Sequence, residues 1–243
     1  AVSSYNGYSK AGILSMTRTF YIPVFKNMSG DLTINVTDST TSSVSISWNK
    51  IDGVTGYQIQ TQDANGNWVD YTYTGETNVT FSNLQSAYRF PLRIRSYTQN
   101  GKNIKWGNFF QINVATKPSK VSGVKLSSSD TSVTVKWNKV SRASGYRIYV
   151  YNSSKKSYEF NKSVSNASTV STKLTGLKPN KTYKIKVAAY KTADNIKFVG
   201  SKSSEASIKT KNKAVTLSSA KSSKKKKISV KWKKVSGVSG YEV

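Results

Sequence analysis

The sequence predicts tandem all-β units built from half-buried antiparallel strands, and three observations predict it. A tryptophan stands nine residues ahead of a glycine-preceded tyrosine three times, in Trp48 to Tyr57, Trp137 to Tyr146 and Trp232 to Tyr241. The tryptophans lie 89 and 95 residues apart, too far for a solenoid and right for a small compact domain. Ahead of each tryptophan the apolar residues alternate with period two, the pattern of a strand with one face buried and one in water.

The elements follow in order. Val44, Ile46 and Trp48 share one face of a strand, as do Val133, Val135 and Trp137, and Ile228, Val230 and Trp232. The tyrosines open a second strand facing the same way, through Tyr57 and Ile59, Tyr146 and Ile148, and Tyr241 and Val243. Gly53 and Gly56, Gly145, and Gly237 and Gly240 give the intervening turns their backbone freedom. In the second unit, Leu177 to Tyr190 turns a tight corner into a strand with Tyr183, Ile185 and Val187 inside and Lys184 and Lys186 outside.

The buried tryptophan, the Gly-Tyr strand start and the Leu177-x-Pro179-x-x-x-Tyr183 corner together resemble the fibronectin type III module, which implies that each unit is a seven-strand antiparallel β-sandwich, immunoglobulin-like, with the third unit truncated. The resemblance implies structural roles for Trp48, Tyr57, Trp137, Tyr146, Leu177, Tyr183, Trp232 and Tyr241. It also implies that the Tyr183 hydroxyl bonds nearby backbone. The first unit departs from the corner pattern, with Phe90 opposite the tyrosine and Ser86 opposite Pro179. Pro91 then falls within a strand that should be central, so a bulge or a late strand start is expected there.

The domains read as 30–116 and 117–211 for two full units and 212–243 for the beginning of a third, preceded by a leader or the tail of another module at 1–29. Val243 falls two residues into what should be the third unit's third strand, so the chain is read as a fragment. On its own 212–243 is expected to stay disordered or to lean on the second unit's surface. In the leader, Phe20, Ile22 and Val24 could line a strand face, with Pro23 marking an edge. The stretch Phe20 to Met28 is similar to the end of a module that follows an N-acetylglucosaminidase domain in clostridial cell-wall proteins. That similarity implies a Gram-positive, extracellular or wall-bound setting.

Composition excludes much chemistry. The 243 residues contain no histidine and no cysteine, which removes Ser-His-Asp and Cys-His catalysis, the usual zinc sites and disulfides. Eleven acidic residues remain, and Asp63, Asp70 and Glu76 fall in a hairpin and strand without an apolar pocket to raise a pKa. No catalytic residue, metal site or cofactor is expected, and no stretch is apolar enough to span a membrane.

Charge is unevenly placed. Residues 1–116 carry 9 basic and 6 acidic groups, whereas residues 117–243 carry 29 and 5, a net of +24. Nearly all the excess is lysine, a hydrated point charge that suits loose attraction to a polyanion better than base reading. Lys221, Lys224, Lys225, Lys226, Lys227, Lys231, Lys233 and Lys234 form the densest run and are the candidate contacts to an anionic cell-wall polymer or peptidoglycan. Aromatic residues fall mostly in the core phase, so no base-stacking platform and no specific nucleic-acid partner are expected.

Trp68, with Tyr71 and Tyr73, is the candidate glycan contact. Trp68 aligns with Tyr158, and Trp106 aligns with Phe198 and so packs on the last hairpin. The expected function is that of a non-catalytic spacer or adhesion segment, an extended basic rod whose partners are adjacent modules of its own polypeptide. The alternatives are the accessory region of a peptidoglycan hydrolase and a dedicated glycan-binding module.

Overall fold

The computed structural model describes residues 2–5, 18–21, 31–224 and 226–243. Strands β1 (Val2–Tyr5) and β2 (Arg18–Tyr21) pair antiparallel, Val2 opposite Tyr21. Ile22, Pro23 and Val24 of the expected edge strand lie outside the described residues.

The first repeat runs through β3 (Ile34–Ser39), β4 (Val44–Trp48), β5 (Gly56–Gln62), β6 (Trp68–Thr74), β7 (Asn78–Phe81), β8 (Arg89–Asn100), β9 (Asn103–Trp106) and β10 (Phe110–Ala115). Its two sheets have the orders β3-β4-β7 and β10-β8-β5-β6, with β9 also on β8. The second repeat reproduces this plan with β11 (Lys125–Ser128), β12 (Val133–Lys136), β13 (Gly145–Asn152), β14 (Ser157–Val164), β15 (Ser171–Leu174), β16 (Thr182–Ala193), β17 (Ile196–Val199) and β18 (Ala206–Lys209). Here the orders are β11-β12-β15 and β14-β13-β16-β17, with β18 on β16. No helix occurs among the described residues, so the chain is all-β, as its alternation predicts.

By compactness the chain forms two units, one gathering Ser45–Thr80 and Phe90–Val114, the other Ala115–Val243 with Ser39–Val44 and Phe81–Arg89. Those two early segments belong with the second unit because residues 116 and 117 bond them. The Lys117 amide donates to the Thr40 carbonyl at 2.7 Å and the Thr116 amide to the Tyr88 carbonyl at 3.0 Å.

Each repeat's core holds its tryptophan, Trp48 and Trp137 both being 4% exposed. The spacing of nine has a geometric cause. The Tyr57 hydroxyl accepts from the Ile51 amide at 2.8 Å, that of Tyr146 from Val140 at 3.0 Å, and that of Tyr241 from Val235 at 2.6 Å. The tyrosine thus ties down the turn that leaves the tryptophan strand, and its ring packs at 5.1 to 5.4 Å centroid distance on the indole in all three copies. Neither Trp48 nor Trp137 gives its buried indole N–H an acceptor, so these residues stabilise through apolar packing.

Two expectations are corrected by the strands. No bulge or late start occurs at Pro91, because β8 already begins at Arg89 and its register with β5 is unbroken. Pairing with β5 begins at Leu92, which leaves the missing Pro91 N–H outside that ladder. Residues 217–232 form the hairpin β19 (Leu217–Lys224) and β20 (Lys227–Trp232), and the segment leans on the second repeat, one of the two alternatives expected, through the Asn180 side-chain amide donating to the Gly237 carbonyl; Tyr241 and Val243, however, are not in a strand. With no second sheet over this hairpin among the described residues, Trp232 is only half-buried and Ile228 is 76% exposed.

Candidate functional site

The two repeats present the outer face of their larger sheet with the same framework and different chemistry. In both, the hairpin after the tyrosine strand carries a bulge. Ile59 faces Thr72 while Gln60 faces Asp70, which makes Tyr71 the extra residue of the bulge, and Ile148 faces Lys162 while Tyr149 faces Phe160, which makes Asn161 the extra residue. The bulge sets which aromatics share a face. Trp68, Asp70 and Tyr73 lie opposite Gln62, Gln60 and Gln58 on the outer face, whereas Tyr71 is the extra residue. The sequence grouping of Trp68 with Tyr71 and Tyr73 could not register this, because a one-residue insertion inverts the alternation.

On the first repeat this face is occupied by its own residues. Arg93 stacks at 4.4 Å on Trp68 and 3.9 Å on Phe109, and Arg95 at 3.9 Å on Trp106 and 4.3 Å on Phe109. Rings and guanidinium groups therefore alternate as Trp68, Arg93, Phe109, Arg95, Trp106. Each arginine Nε also donates to a glutamine, Arg93 to Gln60 at 2.7 Å and Arg95 to Gln58 at 2.6 Å. Both glutamines donate in turn to Asp70 Oδ1, at 2.8 and 2.6 Å, and the Tyr73 hydroxyl donates to Asp70 Oδ2 at 2.9 Å. These bonds, that from Gln60 first, hold the Asp70 carboxyl below its ordinary pKa. Loss of water and then the same carboxylate push the Tyr73 phenol up, and burial pulls the Arg95 guanidinium down.

Trp106 belongs to this stack, which corrects its alignment with Phe198. Trp106 pairs with Tyr97 while Phe198 pairs with Lys191, and it is Val199 that faces Tyr190, the counterpart of Tyr97. Both hairpins turn over two residues, but the shared Asn-Ile-Lys stretch starts at the first paired position in one (Asn103) and one residue earlier, in the turn, in the other (Asn195), so Phe198 turns inward and is buried whereas Trp106 turns outward. Trp68 and Tyr158 do hold equivalent places, opposite Gln62 and Tyr151.

The second repeat reverses the roles. Its tyrosine strand carries Arg147, Tyr149 and Tyr151 where the first has Gln58, Gln60 and Gln62, and Lys184 and Lys186 replace Pro91 and Arg93. After the matching glycines Gly107 and Gly200, Phe109 covers arginines in one repeat while Lys202 covers Tyr149 at 4.7 Å in the other. Lys186 lies 4.5 Å over Tyr158 and Lys184 5.5 Å over Tyr151. The Tyr158 hydroxyl bonds Glu205, which also pairs with Lys184 at 3.1 Å. Burial first, and then Glu205, push the Tyr158 phenol well up, while Tyr158 and Lys184 hold Glu205 low.

Each repeat is closed by a threonine that sequence reasoning missed. Thr116 Oγ1 donates to the Gln85 carbonyl at 2.6 Å and accepts from the Tyr88 amide at 2.9 Å. Thr210 Oγ1 does the same with Lys178 at 2.7 Å and Lys181 at 3.0 Å. Only the Thr-Lys pair ending both units could have signalled it. At the second corner the Tyr183 hydroxyl accepts from the Lys178 amide at 2.9 Å, with Leu177 packed against the core. Phe90, in the equivalent place of the first repeat, is buried.

The lysine run is a hairpin tip. Lys221, Lys224, Lys226, Lys227, Lys231, Lys233 and Lys234 are exposed, and Lys225 lies outside the described residues. Lys224 faces Lys227 across the strands. Among the described residues no group of acidic side chains could hold a metal ion, and no helix is long and apolar enough to cross a membrane.

A family model for the fibronectin type III domain matches residues 31–113 and again 117–198. The chain belongs to the fibronectin type III family. Solved structures similar to it include a two-domain fibronectin type III segment of chicken tenascin, 18% identical over 74% of this chain and 100% of that one, with a TM-score of 0.40. Another is the FN1–FN3 domains of chicken CNTN1, 18% identical over 86% of this chain and 77% of that one, with a TM-score of 0.46. Fibronectin type III domains are commonly non-catalytic modules of adhesion or spacing.

Proposed function

We propose that these fibronectin type III modules form a non-catalytic extracellular spacer and adhesion segment of a bacterial surface protein, holding a neighbouring domain at the cell wall through lysine contacts to an anionic polymer. The charge distribution carries this reading. Residues 117–243 hold 29 basic groups against 5 acidic ones, and the hairpin lysines stand in water. Like charges placed opposite each other across strands destabilise a hairpin, and Lys224 faces Lys227 with Lys226 in the turn between them. Lys226 also adopts φ of 64°, a conformation in which a side chain costs about 1 kcal/mol and glycine costs nothing. A bound polyanion offsets the repulsion and gives the retained charge a purpose.

The test is retention of the full chain on Gram-positive cell walls, with and without their teichoic acid, across a salt series. Glutamine in place of Lys221, Lys224, Lys225, Lys226, Lys227, Lys231, Lys233 and Lys234 is expected to weaken retention at least about tenfold at low salt and to flatten its salt dependence. Unchanged retention at both low and high salt contradicts the proposal.

A further inference from the structure

The second module has a feature that charge alone does not require. Phe160 is 55% exposed, yet it is fixed, its ring meeting Tyr149 edge-on at 6.2 Å with the Arg147 guanidinium 5.6 Å from its centre. Next to it the bulge presents Asn161, whose counterpart in the first module is Tyr71. A cleft of about 400 Å³ opens beside these two residues, with Tyr151, Asn152 and Lys181 also in its wall. Glu159 borders it too, but Lys155 pairs with that carboxylate at 2.7 Å and Asn152 bonds it at 2.8 Å. Lys186 stands directly across Tyr149 from Phe160, and Lys202 covers the same tyrosine.

An exposed held ring, neighbouring amides and flanking ammonium groups are the chemistry that recognises an acidic sugar. The ring face packs on the C–H face of a pyranose, amides bond its hydroxyls, and lysines attract its carboxylate or phosphate. A plain polyanion has no use for Phe160. A single strand of nucleic acid is held by a row of open rings that take successive bases, and here the neighbouring Tyr149 and Tyr158 rings are already covered by Lys202 and Lys186. The equivalent face of the first module cannot serve, since its rings are filled by Arg93 and Arg95.

We propose that the edge formed by Phe160, Asn161 and Lys181, flanked by Lys186, is a subsite for one acidic sugar unit of a polysaccharide. This rests on the reading of the chain as a polyanion-binding segment and adds a sugar-specific contact to it.

Calorimetric titration of the full chain with oligogalacturonate, neutral dextran, polyphosphate and single-stranded oligothymidylate separates the possibilities. Phe160→Ala is expected to weaken oligogalacturonate binding about tenfold while leaving polyphosphate unchanged, as one stacked ring is worth. Lys181→Gln with Lys186→Gln is expected to weaken both, and dextran to bind at least tenfold more weakly than oligogalacturonate. Because Phe160 is 55% exposed and packs chiefly edge-on against Tyr149, the Phe160→Ala chain should unfold within a few degrees of the wild-type temperature. Amide shifts in the wild-type protein on adding oligogalacturonate, clustered at 158–161 and 181, supply a readout that needs no variant. Wild-type oligogalacturonate affinity in Phe160→Ala, or shifts confined to the hairpin at 221–234, overturns the subsite and leaves the polyanion reading intact. Equal binding of dextran overturns the need for an acidic sugar. A larger Phe160→Ala loss with oligothymidylate assigns the ring to a base and overturns the proposal. Failure of every polyanion to bind at low salt removes both readings.

Discussion

The outer sheet faces of the two modules share a framework and oppose each other in chemistry. Both have the same three rows of cross-strand neighbours, the same bulge and the same glycine before the break in the last strand. In the first module the central cations are arginines, sealed by three rings and drained through two glutamines into Asp70. In the second, lysines lie over tyrosines, and Phe160, Lys184 and Lys202 stay exposed. The lesson is physical. A guanidinium is flat and weakly hydrated and stacks on both sides, so arginine closes a face, while an ammonium keeps its water and leaves a face open.

The comparison says that the interiors are alike and the exteriors differ, and each half can be broken. The largest expected effect is inside. Trp48→Ala and Trp137→Ala should each cost about 3–5 kcal/mol in denaturant unfolding, by similar amounts, because both indoles are buried against the same tyrosine. Costs differing severalfold would mean that the cores are not equivalent. Outside, Arg95→Ala should cost the first module about 2 kcal/mol, as it empties a stack and leaves the buried Gln58 carbonyl oxygen without its donor. Lys186→Ala in the second should cost under about 1 kcal/mol, since its single ring contact is part-exposed. Equal costs would erase the distinction between closed and open faces.

The Tyr183 corner separates the modules more finely. Tyr183→Phe removes one bond to backbone and should cost about 1 kcal/mol, whereas Phe90→Tyr should return nothing because Phe90 is buried in its present form. The smallest effect is acidic. Asp70 has a lowered folded pKa, so its contribution is present above the unfolded value of about 4 and fades as pH falls through the folded one. Asp70→Asn should therefore flatten the first module's loss of stability as pH falls below about 4. An unchanged acid limb would mean that the network does not depend on the carboxylate.

The sequence made the interior legible because burial leaves a period. Val44, Ile46, Trp48 and their counterparts could be read directly, as could the Trp-to-Tyr spacing that the hydroxyl bond explains. The outer faces were far less legible. The bulges at Tyr71 and Asn161 each invert an alternation, the Asn-Ile-Lys stretches ahead of Trp106 and Phe198 sit one residue out of step with the strand register, and no local residue type announces either. Arg93 and Arg95 were visible as outward residues in a strand, but the rings that cover them come from two other segments. Phe160 and Asn161 were not singled out because an exposed aromatic among polar residues looks ordinary until its fixed neighbours are seen.

The most direct test of the account is the slope of log affinity against log salt for the full chain on teichoic acid, compared between two variants. Lys221, Lys224, Lys226, Lys227 and Lys231 changed to glutamine should make the slope markedly shallower, while Lys50→Gln with Lys102→Gln in the first module should leave it as in the wild type. Equal slopes in both variants, or a shallower slope only when the first module is changed, would contradict the claim that the second and third repeats carry the contact.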